Sequence, residues 1–170
     1  MKREEGQDLT RIGVTGHMNL TPATVPLVRA ALTAALLPYA PDLTGVSCIA
    51  AGADSIFADV VLELGGTLEV IIPAADYRAR KVKPDHAPLF DDLVRRAATV
   101  RVLPHEVSDR AAYEAANEAL LDTVDLLIAV WDGQAAADQG GTAAVVARAQ
   151  ANERAVQVIW PTGAARQRQR

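Results

Sequence analysis

Aromatic residues are scarce in this sequence, at 4% of 170 residues, so any core must be filled by aliphatic side chains. Cysteine is scarcer still, because Cys48 in the apolar run VSCIA stands alone and cannot form an internal disulfide. We expect a buried core thiol, which suits a reducing compartment. The N-terminal residues MKREEGQD have no apolar stretch behind their charges, which is typical of neither a signal peptide nor a membrane anchor. The expected location is the cytoplasm.

Positive charge is also in short supply. The net charge is −4, and the body of the chain lacks the basic cluster that marks most nucleic-acid-binding domains. The only basic run, at the C-terminal end, is interpreted as a solvated tail rather than a binding arm. It comprises Arg166, Arg168 and Arg170. We therefore expect neither a nucleic acid nor a membrane as a partner.

Several motifs of catalysis and cofactor binding are missing. The histidines His17, His86 and His105 lack metal-ligand spacing and have no cysteine partner, so no metal site is expected. A G-x-S-x-G nucleophile elbow is absent, which argues against an acyl-transfer triad. Neither the G-x-G-x-x-G dinucleotide fingerprint nor the G-K-[ST] of a P-loop occurs.

What is present is an alternation of short apolar runs and helical patterns. The runs are mostly unbroken Val/Ile/Leu stretches, which is typical of strands covered on both faces of a parallel sheet. The predicted strands are 11–15, 45–49, 68–72, 100–103, 126–131 and 155–160. Helical spacing fills the intervals between them, as in Phe57, Val61 and Leu64, with Gly65 where a C-terminal cap belongs. Similar patterns are Val25, Val28, Leu32 and Leu36; Phe90, Val94 and Ala97; and Tyr113, Asn117, Leu120 and Val124, the last preceded by the possible caps Ser108 and Asp109.

This order predicts an α/β fold: a single Rossmann-like, doubly wound, mainly parallel sheet of about six strands with helices on both faces. We expect one domain over residues 1–170, with 1–9 and 163–170 as frayed tails. The stretch 74–88 contains four basic residues and two prolines. It is either a mobile loop beside the site or a solvated connection.

In an open parallel sheet, ligands bind at the carboxyl ends of the strands, and three such loops are unusual here. In the first, GVTGHMNLT, Gly16 permits close backbone approach, Thr15 offers a hydroxyl and His17 a ring nitrogen. The alternative is a tight turn that needs small residues. In the second, AAGADS, Asp54 is either the cap of the next helix or an acceptor for ribose hydroxyls.

The third loop, WDGQAAADQGGT, is the most informative. Gly140 and Gly141 lead directly into a helix beginning at Thr142, and the free N–H groups at a helix start form an anion site. The Thr142 hydroxyl can donate as well. The alternative is a capped loop without a ligand. Asp132 next to Gly133 is interpreted as a turn or polar contact, and the preceding Trp131 as packing rather than base stacking.

These motifs resemble the SLOG superfamily, which includes the DNA-uptake protein DprA, YpsA-like proteins and LOG-type phosphoribohydrolases. The matching segments are VTGH at Val14–His17, GAD at Gly52–Asp54, Asp125–Gly133, and GGT at Gly140–Thr142. The resemblance covers about 11–161. It implies a Rossmann-like fold that binds a nucleotide or nucleotide-derived ligand, often as a dimer, so a homodimer is an expectation.

The chain departs from these relatives at four positions. Met18 and Ser55 stand where they often carry arginine, and Ala51 where they often carry an acidic residue. Val145 stands where LOG enzymes carry a glutamate that helps cleave the N-glycosidic bond. A catalytic carboxylate typically contributes about 10²–10⁴-fold to a rate, and valine supplies none of it.

The sequence thus favours non-catalytic binding or sensing of a nucleotide-derived ligand such as AMP, ADP-ribose or an NAD-like molecule, with no further cofactor. The alternative is an N-glycoside hydrolase acting on nucleoside 5′-monophosphates or NAD-like ligands, with Asp54 or Asp132 as the acid. DprA-like binding of single-stranded DNA conflicts with the charge. The predicted ligand-binding residues are Thr15, Gly16, His17, Gly52, Asp54, Asn117, Trp131, Asp132, Gly133, Gly140, Gly141 and Thr142.

Overall fold

A six-stranded parallel sheet forms the centre of the molecule in a computed structural model that describes residues 10–135 and 141–168. The strands are β1 (Thr10–Gly16), β2 (Leu43–Ser47), β3 (Thr67–Ile72), β4 (Thr99–Val102), β5 (Leu126–Val130) and β6 (Ala155–Ile159). Their order across the sheet is β4-β3-β2-β1-β5-β6. The predicted fold class is confirmed.

Helices connect the strands, as right-handed crossovers between parallel strands require. Within the described residues they are α1 (Thr24–Leu36), α2 (Ala53–Glu63), α3 (Tyr77–Lys81), α4 (Ala87–Arg96), α5 (Arg110–Thr123) and α6 (Thr142–Ala151). A 3₁₀ turn at Leu37–Tyr39 extends α1. None of the helices described is long and apolar enough to cross a bilayer.

Aliphatic side chains fill the core on both faces of the sheet, as the shortage of aromatic residues requires. On one face, Ile12 and Val14 of β1 pack with α1 and with the fully buried Phe57 of α2. On the other face, Leu127 of β5 packs with Leu120 of α5. Complete burial of each large apolar side chain contributes about 1.5–3 kcal/mol. The two-sided burial explains why the strands are unbroken apolar runs.

Local signals in the sequence set several element ends. The Asp109 side chain accepts a hydrogen bond from the Ala112 N–H at 2.9 Å and caps α5, as predicted. Gly65, just after α2, has a φ of +79°, which suits the predicted glycine cap. The second strand lies two residues earlier than predicted. It ends at Ser47 because the buried Ile49 has a φ of +47° and cannot continue an extended strand.

Other predictions differ from the structure. The basic stretch 74–88 is not one continuous loop, since it contains α3 and the start of α4. The pattern through Tyr113 and Asn117 does not mark the core face of α5, whose buried residues are Ala112, Ala116, Leu120 and Leu121. Cys48 is half-buried rather than sealed in the core. Residues 165–167 of the expected frayed tail pair with the loop after β1.

The sheet order reverses between β1 and β5. β1 pairs with β2 on one side and with β5 on the other, from Ile12 opposite Leu126 to Gly16 opposite Val130. The connections after these two strands therefore leave toward opposite faces of the sheet. This divergence opens a crevice at their carboxyl ends, where ligands bind in doubly wound folds.

Candidate functional site

A cleft of about 1120 Å³ lies at this reversal point. Its volume is slightly above the range of about 300–1,000 Å³ that is common for small-molecule sites. Most of the predicted ligand-binding residues line it: Thr15, Gly16, His17, Asp54, Asn117, Trp131, Asp132, Gly141 and Thr142. Gly52 and Gly133 are not among the lining residues, and Gly140 lies outside the described part of the chain.

The loops after β1 and β5 are joined by His17 and Asp132. The imidazole Nε2 of His17 accepts a hydrogen bond from the Asp132 N–H at 3.2 Å and lies 3.2 Å from the Asp132 carboxylate. The ring is 8% exposed and meets Trp160 edge-on at 5.6 Å between centroids. Burial, with the charge of Arg166, lowers the pKa of His17 despite the nearby carboxylate. In this contact between the loops, Nε2 is the acceptor for the Asp132 N–H.

Asp132 is a charged group in the cleft wall. Burial opposes ionisation of its carboxyl, but the Gln134 N–H at 2.9 Å, together with His17 and Arg166, outweighs burial and lowers the pKa. The Nη1 atom of Arg166 lies 3.5 Å from Oδ2 of this carboxylate. Neighbouring Trp131 donates its indole N–H to the Gln134 carbonyl at 2.9 Å, which holds its ring in the same loop.

At two of the predicted glycines, neighbouring protein atoms leave no room for a side chain. A Cβ on Gly16 would lie 2.5 Å from the Ala53 Cβ, where α2 begins. A Cβ on Gly52 would lie 2.6 Å from the His17 carbonyl oxygen, and Gly52 also has a φ of +81°. These contacts favour the tight-turn interpretation of the first loop. Gly133 has a φ of +80° and open space around it.

The start of α6 faces the cleft without a side-chain cap. Gly141 is the N-cap residue, and no described side chain caps the helix. The Ala144 N–H donates to the Gly141 carbonyl at 3.0 Å, so the N–H groups of Thr142 and Ala143 are the ones that can serve an anion. Thr142 begins the helix as predicted, is 9% exposed and lines the cleft. Its hydroxyl has no hydrogen-bond partner among the described residues. Because no fully buried side-chain oxygen or nitrogen in the described residues lacks a partner, this hydroxyl is open to the cleft, where it can bond a ligand.

Asp54 is not the cap of α2, because Gly52 occupies that position and Asp54 lies within the first turn. Burial raises the pKa of its carboxyl to about 7, although a hydrogen bond with the Ala50 backbone acts in the opposite direction. The half-exposed side chain lines the cleft near Cys48 and Tyr77, whose own pKa values are raised by burial first and by Asp54 second. Burial therefore keeps the Asp54 carboxyl protonated at a higher pH than is usual for an aspartate.

Val145, at the place of the LOG glutamate, packs in the core cluster beneath α6 and also lines the cleft. This position brings no carboxylate to the cleft. Within the described chain there is also no group of His, Cys, Asp and Glu side chains arranged to hold a metal ion. The acids that line the cleft in the described part of the chain are Asp54 and Asp132.

Several residues that line the cleft lie outside the sequence motifs. Tyr77 and Tyr113 meet edge-to-face, with 6.3 Å between their ring centroids, and both line the cleft together with Lys81, Arg166 and Arg168. The basic stretch 74–88 was the available signal for Lys81. No sequence pattern places the C-terminal arginines beside β1, because the backbone pairing that brings them there is long-range.

The cleft differs in charge from the chain as a whole. Among the described residues, three cations line it, Lys81, Arg166 and Arg168, against the carboxyls of Asp54 and Asp132. One of those carboxyls has a pKa of about 7. In a chain of net charge −4, the cleft is thus locally positive, which favours anionic molecules.

Comparison with solved structures identifies proteins of the same fold. DNA processing protein A from Streptococcus pneumoniae is 19% identical with a TM-score of 0.66; the match covers 91% of this chain and only 52% of that one. The Helicobacter pylori protein of the same name is 15% identical, with a TM-score of 0.67 and coverage of 94% and 69%. The molybdenum cofactor binding protein from Rippkaea orientalis is 17% identical, with a TM-score of 0.59 and coverage of 90% and 77%. No protein-family model and no curated protein matches the sequence.

These neighbours correct the prediction about partners. The H. pylori protein is described for its single-stranded DNA binding mode, so exclusion of nucleic acid from the net charge of this chain is wrong. Net charge averages over the surface, whereas the cleft itself is lined by cations. At these identities the comparison establishes the fold alone: this chain shares the Rossmann-like fold of these proteins, which is the fold that the sequence resemblance implied.

Proposed function

We propose that this protein binds a phosphorylated, nucleotide-derived ligand in the cleft between the ends of β1 and β5, without turning it over. The observation that carries the proposal is the start of α6, which no described side chain caps and where the Thr142 hydroxyl is open to the cleft, with no hydrogen-bond partner among the described residues. Helix N–H groups and a hydroxyl are suitable donors for phosphate oxygens.

The charge and shape of the cleft support this assignment. Lys81, Arg166 and Arg168 provide positive charge around it. Tyr113, which is 37% exposed, offers an aromatic surface on which a base or another flat ring can stack. Asp132 supplies a carboxylate that can accept hydrogen bonds from sugar hydroxyls. The molybdenum cofactor binding protein of the same fold supports the broader idea of a small cofactor-like ligand.

A thermal-shift panel tests the proposal with AMP, ADP, ADP-ribose, NAD and cyclic nucleotides at millimolar concentration. A ligand at 100 times its Kd adds about 2.7 kcal/mol to stability. At this chain length each kcal/mol raises Tm by about 2–4 °C. We expect a clear rise, of roughly 5–10 °C, with at least one compound. A flat response across the panel contradicts the proposal.

Asp54 favours a second candidate, hydrolysis of an N-glycosidic bond. A carboxyl with a pKa of about 7 is matched to proton transfer at neutral pH, and it lies in the cleft. Val145 argues against this function, since the LOG-type acid is missing. Chromatography of protein incubated with AMP separates the two candidates. Release of free adenine that disappears in Asp54→Asn would establish the enzyme, and no release supports binding alone.

A further inference from the structure

The C-terminal segment 164–167, here called the C-terminal strap, is fastened to the start of α1. The Thr24 hydroxyl donates to the Ala165 carbonyl at 3.0 Å and accepts from the Ala165 N–H at 2.8 Å. The Gln167 N–H donates to the Asn19 carbonyl at 2.6 Å. Because Thr24 is fully buried, these bonds fix the strap as one wall of the cleft.

The strap presents the Arg166 guanidinium to the cleft in a defined orientation. Its Nε donates to the Asn19 side-chain oxygen at 3.0 Å, and its Nη1 lies 3.5 Å from the Asp132 carboxylate. Nη2 makes no hydrogen bond within the described part of the chain. A guanidinium carries five N–H donors, so donors remain free for the oxygen atoms of a ligand, and the side chain is already oriented.

Asp132 is the group that opposes an anion at this place. Its carboxylate offsets the positive charge of Arg166, and it also accepts a hydrogen bond from the Gln134 N–H at 2.9 Å. Lys81 and Arg168 also line the cleft, so positive charge remains after Asp132 and Arg166 offset each other. The pair therefore orients Arg166 without making the cleft neutral.

We propose that Arg166 binds a phosphate ester in the cleft, so that the C-terminal strap is part of the binding site and not only a structural brace. This rests on the function proposed above. The ester belongs either to a free nucleotide or to the backbone of single-stranded DNA, because a guanidinium forms paired hydrogen bonds with phosphate oxygens in both.

The test compares Arg166→Gln with Arg96→Gln. Both arginine side chains are 39% exposed, but Arg96 pairs with Asp59 and Asp92 and does not line the cleft. Each protein is titrated calorimetrically with AMP, with uncharged adenosine, with pyrophosphate (which has charge but no base) and with oligo-dT. Denaturant unfolding checks that both variants fold.

Loss of a hydrogen bond to a charged group weakens binding about 10- to 150-fold. We expect Arg166→Gln to weaken the binding of AMP and pyrophosphate by that factor and to change the affinity for adenosine by no more than about twofold. Arg96→Gln should bind every probe as tightly as the parent does. If oligo-dT is the tighter ligand, Arg166→Gln should weaken it and reduce the salt slope by about 1, which assigns the ester to nucleic acid.

Three outcomes overturn the inference. If the parent and Arg166→Gln bind AMP and pyrophosphate equally tightly, this inference is wrong, but the proposed function is unaffected. Equal losses for AMP and adenosine show that Arg166 only shapes the cleft. A parent that binds none of the four probes overturns this inference, and the proposed function falls with it only if the thermal-shift panel is also flat.

Discussion

The carbonyl oxygen of His17 lies where a side chain on Gly52 would have to go: a Cβ there would be 2.6 Å from that oxygen. The same oxygen accepts a hydrogen bond from the Ala53 N–H at 3.2 Å. The loops after β1 and β2 are thereby locked together beneath the cleft. The position of His17 therefore depends on Gly52, in the neighbouring loop, being a glycine.

Gly52→Ala should therefore destabilise the fold by at least about 2 kcal/mol, because it combines an unfavourable φ with a clash against backbone. This corresponds to a fall in Tm of roughly 4–8 °C or more. Gly133→Ala is the matched control, since it shares a φ near +80° but has open space, and it should cost only about 1 kcal/mol. Urea unfolding measures both. Equal losses would show that φ alone matters.

Thr142→Val and Gly141→Val test the start of α6. Loss of a hydroxyl that bonds a charged oxygen weakens binding about 10- to 150-fold, and a side chain at Gly141 should weaken it at least as much by steric exclusion. Thr142 is not the N-cap, so its replacement should change unliganded stability little. Thr33→Val, on α1 and outside the cleft, is the control. Unchanged ligand affinity in both cleft variants would move the phosphate site to the loop after β1.

Asp54 should make stability depend on pH. Its folded-state pKa is raised from 3.8 to about 7, so between these values the native state holds a proton that the unfolded state has lost. Its contribution is therefore fully present below about pH 4, falls as the pH rises toward 7, and is constant above that. Relative to Asp54→Asn, the parent should lose stability across this window.

Urea unfolding at pH 4, 5, 6, 7 and 8 measures this difference. Asp122→Asn, which replaces an exposed carboxyl on α5, provides the comparison and should follow the parent at every pH. If the curves of the parent and of Asp54→Asn run parallel from pH 4 to pH 8, the Asp54 carboxyl is not held in its neutral form by burial.

Much of the architecture could be predicted from the sequence because its signals are local. Unbroken aliphatic runs marked the strands, and single residues such as Asp109 and Gly65 marked helix ends. The loops of the candidate site were predictable for the same reason: glycines and small polar residues follow strands β1, β2 and β5. These features need no knowledge of distant parts of the chain.

The rest of the cleft depends on long-range packing. The spacing of Tyr113 and Asn117 is the same whether their face of α5 covers the sheet or borders a cleft, and only the position of the helix decides. The position of the C-terminal strap depends on Thr24 and Asn19, more than 140 residues away in the sequence. The pKa of Asp54 depends on burial, which sequence spacing does not measure.

The pairing of β1 with β5 also sets an order of events during synthesis. Gly16 lies opposite Val130, and ribosomes add about 5–20 residues per second, so β1 waits roughly 6 to 23 seconds for its second neighbour. Strand β2 can pair with β1, and β3 with β2, earlier, but the β5 side of the cleft is missing until β5 and α6 are made. Contacts this distant also slow folding. A molecule that binds in this cleft could therefore assist only the last stage of folding, after β5 and α6 have been made.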